Sequence, residues 1–314
     1  MNCKRPNKNL YLASPRGFCA GVERAISIVE KAIQMYGKPI YVKHEIVHNK
    51  HVVERLSNLG AVFVENIQEV PNGSKIIFSA HGVAQKVKKD AVIKELNIFD
   101  ATCPLVTKVH LEAKKLYKNG YHILLIGHSG HPEIEGTKGQ VPSKYISLIE
   151  NIDQAREISP PSIKLAWLSQ TTLSVDDTKE IVNILKSRFP KILSPGKDDI
   201  CYATSNRQQA VKEIAPNVDL MLIVGSENSS NSKRLVEVSE KAGCKNSFLI
   251  SDVSQINWEK INLFKNIGLS SGASAPENLI EEIRLEFSER FDTHEIQEET
   301  IQENVYFKLP KELV

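Results

Sequence analysis

The sequence predicts an α/β protein, a trefoil of three pseudo-equivalent αβα units with small, parallel-rich sheets facing one central site. Short β-rich runs alternate with amphipathic helical stretches along the 314 residues, as in parallel sheets joined by crossover helices. A strand, a cysteine and a helix follow one another three times, roughly 100 residues apart, within the usual size range of a domain. Later strands of each repeat end in polar clusters at similar distances from the cysteine, where parallel sheets place ligands.

In the first repeat Tyr11-Leu12-Ala13 leads to Cys19 and then to AGVERAISIVEKAI, whose Val22, Ala25, Ile26, Val29 and Ile33 recur at helical spacing. The second runs Ile98-Phe99-Asp100-Ala101, Cys103-Pro104 and LVTKVHLEAKKLYKNG. Its proline suits a first helical turn and Gly120 a helix end. The third reads ILSPGKDDI, Cys201 and YATSNRQQAVKEI. The next strands, YVKHEIVH, ILLIGHSGH and LMLIVGSENSS, reach His48, His131 and Ser229, each 28 or 29 residues after its cysteine. A third set, IIFSAH, LAWLSQT and IGLSSGAS, ends at His81, Thr171 and Ser274, 62, 68 and 73 residues after the cysteines. Boundaries near 97 and 192 follow: residues 1–97 carry Cys19, His48 and His81, and residues 98–192 carry Cys103, His131, Glu133 and Thr171. Residues 193–314 carry Cys201, Ser229, Ser230, Asn231 and Ser274, with a charged tail after about Arg290 that packs across the rest.

Composition narrows the function. With 41% hydrophobic and 25% charged residues the chain is ordinary globular material. Forty Lys plus Arg against 38 Asp plus Glu, with no dense basic run, argue against nucleic acid. No apolar stretch reaches the roughly 18 to 20 residues of a membrane helix, and the basic start has no apolar run behind it. A soluble, cytoplasmic protein is expected, a monomer by default. Five cysteines without a CxxC pattern exclude a disulfide scaffold, a thioredoxin site or a zinc finger.

Soft thiolates at helix entrances suit an iron-sulfur cluster, and Cys19, Cys103 and Cys201 share that placement. Clusters usually take four cysteines, so a set of three leaves one iron open to substrate. Cys3, in a polar leader, and Cys244, in AGCKNS, lie outside the repeat and read as bystanders. His48, His81 and His131 can donate to phosphate oxygens. Ser229, Ser230, Asn231 and Ser274 add neutral donors beside helix starts, although the same residue types are also plain helix caps. Glu133, two residues after His131, is placed to hand a proton to a leaving oxygen, or is a solvated first-turn glutamate. Ser174 with Asp177 reads as a capping box rather than a magnesium site. Neither GxGxxG nor GxxxxGK occurs, so electrons come from outside the chain.

The motifs PRGFCAGVERAI, HEIVHN, FSAHGV, DATCPLVTKVH, GHSGHPEIEGT, QTTLSVDDT, DDICYATSNRQ, GSENSSNSKRL and GASAPE stand in order from Leu12 to the closing LPKEL. In these the chain resembles the 4-hydroxy-3-methylbut-2-enyl diphosphate reductases, the LytB family. The resemblance implies one [4Fe-4S] cluster per chain on Cys19, Cys103 and Cys201, with one open iron. It implies that His48, His81, His131, Ser229, Ser230, Asn231 and Ser274 bind the allylic diphosphate, that Glu133 supplies protons and that Thr171 meets the substrate hydroxyl. The implied reaction is a two-electron, two-proton reductive dehydroxylation to isopentenyl and dimethylallyl diphosphate, the last step of the non-mevalonate route. A ferredoxin or a flavodoxin is the implied electron donor. A second reading is an iron-sulfur redox sensor that binds a phosphorylated metabolite, for which Glu133 has little use.

Overall fold

A computed structural model describes residues 5–297 and 301–313, so Cys3 lies outside the described residues. The chain begins with β1 (Asn7–Leu12), α1 (Ala20–Tyr36), β2 (Ile40–Lys43), α2 (Lys50–Leu59), β3 (Ala61–Val64), β4 (Lys75–Phe78), α3 (Gln85–Ile93) and β5 (Asn97–Asp100). It continues through α4 (Pro104–Lys118), β6 (His122–Ile126), α5 (Pro132–Lys138), β7 (Ile146–Ile149), α6 (Ile152–Glu157), β8 (Leu165–Ser169) and α7 (Val175–Arg188). The last part is α8 (Tyr202–Ile214), β9 (Leu220–Val224), α9 (Ser230–Lys241), β10 (Ser247–Ile250), α10 (Trp258–Ile261), β11 (Asn266–Ser271), α11 (Glu277–Arg290) and β12 (Asp292–Gln297).

These strands form three small sheets, ordered β10-β9-β11-β1-β12, β3-β2-β4-β5 and β7-β6-β8. Every pairing within them is parallel, so the fold is the expected α/β class with all-parallel rather than merely parallel-rich sheets. The chain divides into two compact units. The five-strand unit comprises Met1–Cys19, His48–Lys50 and Tyr202–Val305, and the two-sheet unit comprises Ala20–Val47, His51–Cys201 and Tyr306–Val314.

The sheets do not follow the expected boundaries at 97 and 192. The strand that runs into each cysteine completes the sheet ahead of it. β5 pairs with β4, Leu193 bridges to Ala166 of β8, and β1 lies between β11 and β12. The tail after Arg290 opens with a true strand, since β12 pairs with β1 along six residues. Each parallel strand satisfies its ladder hydrogen bonds with whichever neighbour the crossover helix delivers it to.

Interior strands β6 and β9, and β8 next to β6, are buried at every position, as strands covered on both faces must be. The period of two divides their side chains. Leu124, Ile126, Leu165 and Trp167 meet Ile181 and Leu185 of α7 on one face. Ile123, Leu125 and Leu168 meet Val109 and Ala113 of α4 and Ile134 of α5 on the other. In the five-strand unit Leu10, Leu222 and Leu269 pack on Ile280, Ile283 and Phe287 of α11, while Met221 and Ile223 pack on Val211 of α8 and Leu235 of α9. Each such side chain contributes about 1.5–3 kcal/mol on burial, which fixes the strand ends that carry the polar residues. Among the described residues no helix is long and apolar enough to cross a membrane.

Candidate active site

Cys19, Cys103 and Cys201 are braced in the same way. The backbone N–H of Cys19 donates to the Ala273 carbonyl at 3.2 Å, that of Cys103 to Ala80 at 2.9 Å and that of Cys201 to Thr171 at 3.0 Å. Each acceptor lies just beyond the end of β11, β4 or β8, strands whose polar ends were expected at Ser274, His81 and Thr171. Each cysteine immediately precedes a helix, α1, α4 or α8, and is half-buried. Cys103 stands at the N-cap of α4 with Pro104 in the first turn, as the sequence suggests. Cys244 differs: it is buried, and burial raises its thiol pKa, which keeps it a protonated, inert thiol.

Within the two-sheet unit Glu133 meets Thr171 and His131, and His81 meets His131. Glu133 is 2% exposed. Its carboxylate accepts from the Thr171 backbone N–H at 2.7 Å and the Thr171 hydroxyl at 3.0 Å, so the two residues form one device joined to Cys201 through the Thr171 carbonyl. Burial pushes the Glu133 pKa up to about 7, against the pull of the two Thr171 hydrogen bonds and with a further upward push from the charge of Asp199. The solvated first-turn alternative for Glu133 is thereby set aside. His131 caps α5 by accepting from the Glu133 N–H at its Nδ1, 3.2 Å away, which leaves the proton on Nε2 as a donor. The His81 ring lies edge-on to His131 and to His44, each with centroids 5.8 Å apart.

Two glycines permit this approach. Gly82 follows His81 with φ +75°, and a Cβ there would stand 2.7 Å from Cε1 of His110. A Cβ on Gly136 of α5 would lie 3.2 Å from the Gly82 carbonyl oxygen. His110 itself is buried, with a pKa lowered to about 4 by desolvation and by Lys88 and Lys114, so a neutral ring underlies the His81 turn at physiological pH.

In the five-strand unit the Ser274 hydroxyl donates to the His48 carbonyl at 3.0 Å. Ser229 caps α9, accepting from the backbone N–H of Ser232 at 3.3 Å and from its hydroxyl at 3.0 Å. Ser230 opens the helix, and beside it Asn231 is 5% exposed with neither amide atom hydrogen-bonded among the described residues. A buried amide in that condition costs about 1–3 kcal/mol unless a ligand completes it. Ser174 caps α7 by accepting from the Asp177 N–H at 3.2 Å, in line with a cap rather than a metal site.

Sequence reasoning did not single out His44 or Asp199. His44 sits four residues before His48 in the same HEIVH run and could have been found there. Asp199 precedes Cys201 by two residues, is 4% exposed, and has a pKa raised to about 6 by burial against hydrogen bonds from Ser169 and Lys108; no local pattern marks such a partner.

Parallel sheets that carry half-buried thiols and a protonatable buried carboxyl near their strand ends give this α/β protein the groups of an enzyme. Residues 10–288 match the model of the family described as LytB protein. A 4-hydroxy-3-methylbut-2-enyl diphosphate reductase of Methylocella silvestris is 51% identical over 311 residues, 98% of either chain. One from Cereibacter sphaeroides is 51% identical over 308 residues, 98% of this chain and 96% of the relative. Among solved structures, the E-1-hydroxy-2-methyl-but-2-enyl-4-diphosphate reductase of Plasmodium falciparum superimposes with a TM-score of 0.93 at 38% identity, over 98% of this chain and 97% of its own. An (E)-4-hydroxy-3-methyl-but-2-enyl diphosphate reductase, the terminal enzyme of the non-mevalonate pathway, gives 0.63 at 31% identity over 90% and 99%. The chain belongs to the LytB protein family.

Proposed function

We propose that the chain reduces (E)-4-hydroxy-3-methylbut-2-enyl diphosphate to isopentenyl and dimethylallyl diphosphate, the last step of the non-mevalonate route to isoprenoid precursors. Cys19, Cys103 and Cys201 would hold one [4Fe-4S] cluster. The donor chemistry fits: three half-buried thiols at helix entrances with their N–H groups braced alike, against a fourth, Cys244, whose thiol pKa is raised by burial. Such a cluster, when bound with one iron lacking a protein thiolate, supplies electrons to an allylic hydroxyl. The reaction takes two electrons and two protons and releases water.

The protein's own residues do the rest. His48, His81, His131, Ser229, Ser230, Asn231 and Ser274 bind the diphosphate, the histidines as donors to its oxygens and the Asn231 amide as a buried pair completed by ligand. Thr171 fixes the Glu133 carboxyl through two hydrogen bonds and offers its hydroxyl oxygen to the substrate hydroxyl. Glu133 hands a proton to the departing oxygen, and a second proton goes to the allyl carbon. The enzyme works as a monomer in the cytoplasm and takes its electrons from a ferredoxin or a flavodoxin.

The observation that carries this reading is the Glu133–Thr171 pair, a buried carboxyl whose pKa burial raises to about 7. Glu133→Gln should keep parental iron content and lose about 10²–10⁴-fold in turnover in an anaerobic assay with reduced viologen and the allylic diphosphate. Parental turnover in a variant that still holds its iron would remove Glu133 from the proton route. Substrate binding without product in the parent protein would favour the sensor.

A further inference from the structure

Each of the three cysteine-bearing loops is held by a basic side chain that projects from the helix following a different cysteine. α1, which follows Cys19, carries Arg24. Its guanidinium donates to the carbonyls of Thr102 at 3.2 Å and Asp100 at 3.4 Å, in the segment leading to Cys103. α4, which follows Cys103, carries Lys108, whose Nζ donates to the carbonyls of Lys197 and Asp198, each at 2.8 Å, and to Oδ1 of Asp199 at 3.1 Å, in the segment leading to Cys201. α8, which follows Cys201, carries Arg207. Arg207 is 0% exposed and donates to the Gly17 carbonyl at 2.8 Å and the Phe18 carbonyl at 3.4 Å, immediately ahead of Cys19. In sequence the three stand five, five and six residues after their cysteines, and the set closes on itself: first helix to second cysteine, second to third, third to first.

We propose that Arg24, Lys108 and Arg207 are positioning residues for the three metal-binding thiolates, each fixing the backbone ahead of one cysteine. The inference rests on the reading of Cys19, Cys103 and Cys201 as the cluster ligands. Two physical effects follow. A ligand held by a braced backbone keeps its geometry on changes of oxidation state, as outer partners do at other metal sites. Positive charge near a bound cluster favours the state carrying the extra electron. The tail of the chain meets two members of the set: the Glu303 carboxylate pairs with Arg207 at 3.0 Å, and the Lys308 carbonyl accepts from Arg24 at 2.9 Å.

The test uses Arg24 and Lys108, which are not fully buried and tolerate substitution better than Arg207. Arg24→Gln and Lys108→Gln are compared with the charge-keeping Arg24→Lys and Lys108→Arg in anaerobically reconstituted full-length protein, by iron per chain and by the midpoint potential from an EPR-monitored titration. The Gln variants should shift the oxidised-to-reduced ratio about tenfold towards oxidised at a fixed potential, about 59 mV for a one-electron couple, or lose iron while keeping their circular dichroism. The charge-keeping variants should restore the parental values. Gln variants with parental potential and iron content, or charge-keeping variants as impaired as the Gln ones, overturn the proposal while leaving the three-cysteine reading in place. A parent protein that takes up no cluster removes both.

Discussion

Glu133 shows how one buried carboxyl ties function to stability. Its pKa in the fold is about 7 against an ordinary value of 4.5. Between those values the folded protein keeps a proton that the unfolded chain has released, so stability falls as pH rises from 4.5 to 7 and the full cost persists above. The shift corresponds to roughly 3 kcal/mol. Gln has the shape without the charge and removes that cost. Metal-free Glu133→Gln should therefore melt above the parent at pH 8 and together with it near pH 4.5, read by circular dichroism; coincident melting at both would show that the ionised carboxylate is not penalised. Glu133 is visible in the sequence from its place after HSGH, and Thr171 from the end of LAWLSQT. Their hydrogen bonds are not, because 38 residues separate them and nothing in either run names the other. Asp199 and His110 escape for the same reason: desolvation and Coulomb neighbours depend on the packed fold and leave no local periodicity.

At the level of elements, local chemistry was legible and pairing was not. Val22, Ala25, Ile26 and Val29 of α1 are buried as their spacing demands, α4 has its proline in the first turn, and Gly120 follows the helix end with φ +76°. The Ser174 side chain caps α7. Its hydroxyl satisfies one of the N–H groups that a helix start leaves open. Ser174→Ala should cost about 1 kcal/mol of stability, seen as a lower denaturation midpoint, with no change in the response to added magnesium; a magnesium-dependent midpoint lost in the variant would restore the metal reading. By contrast β1 gives no sign in its own six residues that its neighbours are β11 and β12. Alternation states which face of a strand is buried and not which strand lies beside it. The expected boundaries at 97 and 192 depended on grouping each strand with the helix that follows, whereas pairing groups β5 with β4.

For the whole molecule, the repeat is deeper than the sequence reading of it. Among the described residues, three sheets, three N–H braces on the cysteines and three basic clamps each link one repeat to the next, and that regularity bears on how metal is bound. Were the cysteines to serve separate sites, replacing one would remove about a third of the metal and leave the rest. Thiolates sharing one inorganic core behave otherwise, because a cluster deprived of a ligand is lost as a unit. Cys19→Ser, Cys103→Ser and Cys201→Ser, reconstituted without oxygen, should each fall from about four iron atoms per chain to a small fraction of that, alike in extent. Cys244→Ser should match the parent, since Cys244 is 2% exposed and its thiol pKa is raised by burial. Graded losses of roughly a third for each of the first three, or a loss in Cys244→Ser, would separate the thiols into independent sites and take the open iron, and the reaction assigned to it, away from this chain.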